Sequence, residues 1–362
     1  MEGHGLWPTA QAQAQEARLK REAETWAPPT DAASIPYASE NEIPVLDLGP
    51  YFAALSAGSA DTVQIEESNL ANRLRHSAEH VGFFIITGHG ITQRTIDGAM
   101  RATAEFHALP LEPKMQLVLD APDAPIGGVG YLPVCNRKLP AREKPNHNAA
   151  YIVKRESGPR DIRLEAMPWP RSHAAYKFDG SAFRASIVTY CDALEALALR
   201  MLPLYARALG VPCDQLLAAF RSPLYRLRAS HYPPTPPGEL GIQPHVDTSF
   251  MTLLVTDDPT GLVVHEAARK AWMRCRNVPG SIIVNTGETL QRLTNDRWPA
   301  TRHYALNPAA GPGARARYSL PFFFNPTADH VLDVLPSFTS EADPPRYPPQ
   351  SYLQGQGVVQ GE

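Results

Sequence analysis

His245-Val246-Asp247-Thr248-Ser249-Phe250-Met251-Thr252-Leu253-Leu254-Val255-Thr256 is a run of β-branched and apolar residues with a single acidic group near its start. Read as one strand, it alternates between two faces, and His245 and Asp247 share a face. The same texture recurs on both sides of it, at 224–232, 261–265, 271–278, 281–285, 302–306, 317–324 and 330–335, with Pro, Gly and Asn/Asp turns between the runs. Eight short strands at this spacing predict an antiparallel sandwich or barrel. The fold class expected is mainly β with flanking helices, on a double-stranded β-helix (jelly-roll, cupin-like) core at residues 223–340.

Ahead of that core the pattern is mixed. Residues 1–40 read as a flexible arm, with a polar helix at 10–26 that Pro28-Pro29 ends. A short strand at 43–48, a helix at 68–81, a strand at 82–86 and a helix at 92–109 follow. The segment 131–153 is turn-rich and assigns itself to no element. Residues 182–209 carry the clearest helical period, with Ile187, Cys191, Leu194, Ala198 and Met201 on one stripe, Pro203 as a kink and Gly210 as the stop. Residues 41–222 are therefore expected to be a helical and mixed region packed on the core, and 341–362 a C-terminal tail.

Composition narrows the function. An apolar fraction of 43% with 20% charged residues suits a water-soluble globular chain. The net charge of −3 argues against nucleic acid or an anionic membrane as the main partner. Cys135, Cys191, Cys213 and Cys275 are scattered without C-x-x-C spacing, as reduced thiols are. No apolar run is long enough to span a bilayer, and Met1-Glu2-Gly3-His4 lacks a signal-peptide pattern, so a cytoplasmic location is expected. Oligomeric state is not legible.

Two imidazoles and one carboxylate suit one face of an octahedral metal and leave the opposite positions open, the arrangement of non-haem Fe(II) oxygenases. His-x-Asp alone is a weak motif. Here His303 follows Asp247 at the start of a strand, and Arg317-Tyr318-Ser319 comes next, placing Arg317 and Ser319 on one strand face. A guanidinium and a hydroxyl together suit a carboxylate. A catalytic zinc site uses similar ligands, but no Glu stands beside them as in His-Glu-x-x-His.

These residues resemble the isopenicillin-N-synthase-like group of Fe(II)/2-oxoglutarate oxygenases, from about Ile43 to Tyr352-Leu353. The marks are Ile43-Pro44-Val45-Leu46-Asp47-Leu48, Val81-Gly82-Phe83-Phe84, Gly88-His89-Gly90, His231-Tyr232-Pro233-Pro234, His245-Val246-Asp247, Val284-Asn285-Thr286-Gly287-Glu288, Arg302-His303 and Arg317-Tyr318-Ser319. The chain departs from the pattern at Ser230, where many members carry Asn, and in a longer connection through Gly311-Pro312-Gly313. The resemblance implies that His245, Asp247 and His303 bind Fe(II). It also implies that Arg317, Ser319 and Tyr232 hold 2-oxoglutarate, and that O2 is consumed as 2-oxoglutarate is converted to succinate and CO2. The reaction implied is hydroxylation, desaturation or oxidative cyclisation of a small molecule, of the kind found in secondary metabolism.

Alternation from Tyr232 puts Arg228 and Ser230 on its face, and alternation from Arg317 puts Phe323 on that side. With Tyr131, Asn146 and Asn148, which fall where the family places substrate-facing loops, these are the candidate substrate contacts. His89 reads as structural, His231 as buried packing, and His147, His265 and His330 lack a partner at ligand spacing. Two other functions stay open at this point: an iron oxidase of the same fold that does not use 2-oxoglutarate, and a non-catalytic small-molecule-binding jelly roll.

Overall fold

The computed structural model describes residues 27–117, 129–135, 144–155, 167–258 and 261–352. The helix expected at 10–26 lies outside them. In the N-terminal half, β1 (Val45–Asp47), α1 (Gly49–Ala57), α2 (Ala60–His80), β2 (Phe83–Thr87), α3 (Gln93–Ala108) and α4 (Leu111–Met115) come first. Next are β3 (Gly130–Leu132), β4 (Ala149–Lys154), α5 (Gly180–Leu209) and α6 (Cys213–Ala219). The C-terminal half opens with β5 (Leu224–Tyr232), β6 (Leu240–His245), β7 (Met251–Thr256), β8 (Leu262–Glu266), β9 (Ala271–Arg274) and β10 (Ile282–Thr286). It closes with α7 (Glu288–Leu293), β11 (His303–Leu306), β12 (Arg317–Asn325), β13 (Val331–Leu332) and β14 (Gln350–Ser351).

Strands β5 to β12 divide four and four between two sheets. The larger sheet has the order β1-β2-β10-β7-β12-β5-β4-β3, the smaller β6-β11-β8-β9. All pairings among β5 to β12 are antiparallel. This is the expected double-stranded β-helix, widened at one edge by β1 and β2 and at the other by β3 and β4.

Alternation assigns each side chain to a layer. On β7, Met251, Leu253 and Val255 join a helix-side core with Phe106, Ile187, Leu194 and Met201, whereas Thr252 and Thr256 face the space between the sheets. Phe83, Ile85, Val264 and Ile283 pack in a second core between the sheets. The helix-side core draws on residues from both halves of the chain, so the two regions share one apolar interior.

Helix boundaries follow local chemistry. The Thr92 hydroxyl accepts from Thr95 N at the start of α3 (3.2 Å), and Asp179 caps α5 through Ser181 N and Ala182 N. Gly210, with φ of 71°, ends α5, which continues through Pro203. Helix α2 starts eight residues earlier than its apolar period predicts, because its first turns are exposed and polar.

Several expectations are corrected. The run 245–256 is two strands in different sheets, with residues 246–250 crossing between them. The segment 131–153 contributes β3 and β4 to the larger sheet. Of 330–335 only Val331–Leu332 is extended, and it pairs with β14 in a separate ribbon. Chain assigned to the arm already packs by Ile35 and Ala38, which are buried, and Ala38 N bonds Arg274 O.

Candidate active site

The crossover from β6 to β7 carries the first two candidate ligands. His245 is the last residue of β6, and Asp247 sits in the connection rather than on the strand, so strand alternation is not what aims it at His245. Its backbone oxygen accepts from Glu288 N at the start of α7 (2.8 Å), fixing the turn against the larger sheet. His303 opens β11 and is the direct cross-strand partner of His245, and the pairing shifts register immediately beyond them.

The three side chains converge. His245 Nε2 lies 3.6 Å and His303 Nε2 3.7 Å from Asp247 Oδ1, and one ligand atom from each residue lies within 4.8 Å of the other two. Every other polar atom of the trio is already engaged. His245 Nδ1 is 3.0 Å from Gln243 O and His303 Nδ1 2.9 Å from Thr301 O. A carbonyl can only accept, so each Nδ1 carries a proton, and Nε2 is the ring atom turned toward Asp247 and the one that would meet an ion once unprotonated. Asp247 Oδ2 accepts from Thr252 Oγ1 (2.7 Å) and Asn285 Nδ2 (2.8 Å), which leaves Oδ1. Burial works to raise the Asp247 pKa, but the two histidines and these two donors outweigh it and hold the carboxyl below its ordinary value. The ring of Phe83 meets His303 edge-on at 5.3 Å.

A second polar group faces the same interior from the larger sheet. Arg317 on β12 is paired with Tyr232 on β5, and Ser319 with Ser230, so all four side chains share one face. The Arg317 guanidinium lies over the Tyr232 ring at 3.8 Å, reaches Thr256 Oγ1 at 3.3 Å, and is buried with its Nε unpartnered. Ser319 Oγ is 3.4 Å from Tyr232 Oη. Space for this group depends on two small residues. A Cβ on Gly261 would lie 2.9 Å from Arg317 Nε, and one on Gly241 would lie 2.5 Å from the Tyr232 ring. A desolvated guanidinium and two hydroxyls, with no ion-paired carboxylate among the described residues, form a receptor for a carboxylate.

The candidate substrate residues are distributed unevenly. Arg228 and Ser230 face the interior, and Phe323 is on the matching face of β12. Asn146 accepts from Gln243 N, tying the approach to β4 onto β6, and Asn148 shares by alternation the face of Ala150. Tyr131 does not reach the interior. It is paired with Tyr151 on the opposite face and packs against Phe106, His107 and Lys114. The ring stacked beneath β5 explains the histidines: His107 lies 5.1 Å from His231, and His231 5.2 Å from Tyr318. His89 braces a turn, 2.9 Å from Gly280 O and accepting from Ile91 N.

Sequence reading assigned no role to Thr252, Asn285, Thr256 or Gly261. Asn285 had a signal, a lone amide in the apolar run 281–285, because such a group requires a buried partner. Thr252 and Thr256 are ordinary strand residues and carried none.

Residues 222–326 match the family model described as the 2OG-Fe(II) oxygenase superfamily, and residues 43–172 match that of the non-haem dioxygenase in morphine synthesis N-terminal region. The chain is 31% identical over 316 residues to the 2-oxoglutarate-Fe(II) type oxidoreductase hxnY of Emericella nidulans, covering 84% of this chain and 86% of the relative. Among solved structures it is similar to a 2OG-Fe(II) oxygenase family protein from Caulobacter crescentus (TM-score 0.71, 24% identity, covering 87% of this chain and 97% of the other). It is also similar in fold to the dioxygenase for auxin oxidation in rice (TM-score 0.63, 23% identity, covering 87% and 94%).

Proposed function

Since the chain belongs to the Fe(II)/2-oxoglutarate-dependent oxygenases, we propose that His245, Asp247 and His303 hold its iron and that Arg317, Ser319 and Tyr232 anchor its cosubstrate. The enzyme is an oxidoreductase that oxidises a small molecule with Fe(II), 2-oxoglutarate and O2. One observation carries the residue assignment. Each of the three converging side chains has one polar atom bonded to a neighbour outside the trio, and the remaining atoms, Nε2, Nε2 and Oδ1, face one another closely enough to share a single ion. Nitrogen and carboxylate donors fit Fe(II), and three protein ligands leave positions for the cosubstrate.

When bound there, iron together with 2-oxoglutarate supplies the oxidising chemistry that releases succinate and CO2. The protein's own residues do the rest. Gln243 O and Thr301 O fix the ring orientations, while Thr252 and Asn285 hold Asp247 to one coordinating oxygen. Arg317 meets the far carboxylate of the cosubstrate, with Ser319 and Tyr232 donating beside it. The surrounding apolar side chains keep water away and strengthen that pairing. Ser230, Asn146, Asn148 and Phe323 are proposed to line the substrate side. Four unpaired cysteines support a cytoplasmic setting.

Oxygen uptake by the iron-loaded protein is expected to require added 2-oxoglutarate. Arg317→Leu is expected to keep iron affinity but lose about 2–5 kcal/mol of cosubstrate binding, because a buried carboxylate is left unpaired. A wild-type dissociation constant for 2-oxoglutarate in that variant refutes the anchor. Oxygen uptake that ignores 2-oxoglutarate refutes the cosubstrate.

A further inference from the structure

Strand β5 turns Tyr225, Leu227 and Ala229 toward the helices and Arg228, Ser230 and Tyr232 toward the site. Arg228 is the anomaly. Its Nε is buried without a hydrogen-bond partner, and among the described residues its guanidinium makes no ion pair. Burial is the largest influence on this group and works against its charge, as does neighbouring Arg226. Tyr232 and Asp247 favour the charge, but the Tyr232 ring already stacks on Arg317 and both Asp247 oxygens face other partners. The side chain as a whole is partly exposed, so it is this buried, unpartnered Nε edge that favours an entering anion.

On the side of β4 and β3 the neighbours of Arg228 are apolar. Ile152 on β4 is its cross-strand partner, Ala150 is opposite Ser230, and Leu132 on β3 is opposite Ala150. Leu132, Ala150 and Ile152 form a small buried cluster of their own, separate from the helix-side core. Arg317 lies opposite Tyr232, four residues along β5 from Arg228. That is roughly 13 Å of strand between the two backbone positions, so the two arginines enter the interior from separate places, and the test below decides whether one anion serves both.

We propose that Arg228 and the Leu132–Ala150–Ile152 wall form the substrate subsite, and that the enzyme's substrate is a carboxylate on an apolar body. The carboxylate pairs with the Arg228 guanidinium while the body lies along β3 and β4, a fixed orientation toward the metal. This rests on the assignment of Arg317 to the cosubstrate, and the test separates the two.

The protein loaded with Fe(II) and saturated with 2-oxoglutarate is titrated anaerobically by calorimetry with phenylacetate and octanoate, and with the neutral amide of each. The carboxylates are expected to bind at least about tenfold tighter than the amides, equivalent to about 1.4 kcal/mol. Arg228→Met is expected to erase that preference while 2-oxoglutarate binds as before, which also certifies its fold. Arg228→Lys is expected to keep most of the preference, and it decides the matter should the Met variant not fold. No carboxylate preference in the wild type, or an undiminished one in Arg228→Met, overturns the proposal. Parallel loss of 2-oxoglutarate binding in Arg228→Met overturns it too, assigning Arg228 to the cosubstrate. Failure of the wild type to bind 2-oxoglutarate instead overturns the Arg317 reading.

Discussion

Thr252→Val removes one of two hydrogen bonds to Asp247 Oδ2 at almost constant volume, and Asn285→Leu removes the other. Each is short, at 2.7 and 2.8 Å, and each acceptor is a buried carboxylate. Losing a hydrogen bond to a charged group costs about 1.5–3 kcal/mol, so the metal-free protein is expected to lose about 2 kcal/mol of stability in either variant. Metal affinity should fall less steeply. The same bonds exist before and after the ion binds, and only the freedom of Oδ2 to rotate and the easier protonation of Asp247 differ. About a tenfold loss per variant is expected, the low end for residues that orient a metal ligand. The double variant should lose more than the sum, since the second change strips Oδ2 of its last donor.

The pH dependence has a definite sign. Asp247 is held below its ordinary pKa, so its contribution is present above the ordinary carboxylate range and is lost as pH falls through the lowered value. The variants should therefore differ from wild type at neutral pH and converge with it in acid. Urea unfolding of the apoprotein and anaerobic Fe(II) titration measure the two quantities. Wild-type stability and metal affinity in the double variant would refute the reasoning that these two donors hold Asp247 in place.

Asp247→Ala and His303→Ala are each expected to abolish turnover and stoichiometric Fe(II) binding while circular dichroism stays native. Gly261→Val is expected to weaken 2-oxoglutarate binding without changing iron affinity, because its Cβ would enter the space of Arg317 Nε; unchanged cosubstrate binding would show that the guanidinium has room to move. Burial, with the nearby charge of Lys114, pushes His231 down to about 4, and burial pushes His107 down to about 3. The unfolded chain takes up protons first, from pH of about 6.5 downward, so stability is expected to fall as pH drops from there toward 4. His231→Phe should flatten that slope in urea melts taken across the range.

Much of this was legible from residue type and order. His245, His303 and the Arg317–Ser319 pair were singled out because metal and carboxylate chemistry admits few side chains, and the structure brings the histidines to Asp247 and sets Arg317 and Ser319 on one face. Alternation placed Arg228 and Tyr232 on one face, since β5 is regular over nine residues. The same rule misled at Asp247. No local signal announces that a chain leaves one sheet for another at residues 246–250, because the crossover is dictated by partners distant in sequence. Tyr131 was misplaced for a related reason. Its face is set by pairing with Tyr151 and by the ring of Phe106, neither of which a turn-rich sequence discloses. Gly261 matters through a contact with a residue 56 positions away, invisible to any local pattern.

The two histidines belong to strands of the smaller sheet that are 58 residues apart in sequence, and the larger sheet supplies the groups that hold Asp247. No fragment of the chain assembles the pocket alone, so an unfolded chain offers the ion only isolated side chains. Iron held at the proposed site would be a ligand of the closed barrel and would add to its stability by mass action, about 2.7 kcal/mol when free metal stands at a hundred times the dissociation constant. Iron supply would thereby govern how long each molecule survives unfolding and proteolysis as well as how fast it turns over. Cells short of the metal would hold less of the enzyme, even at constant synthesis.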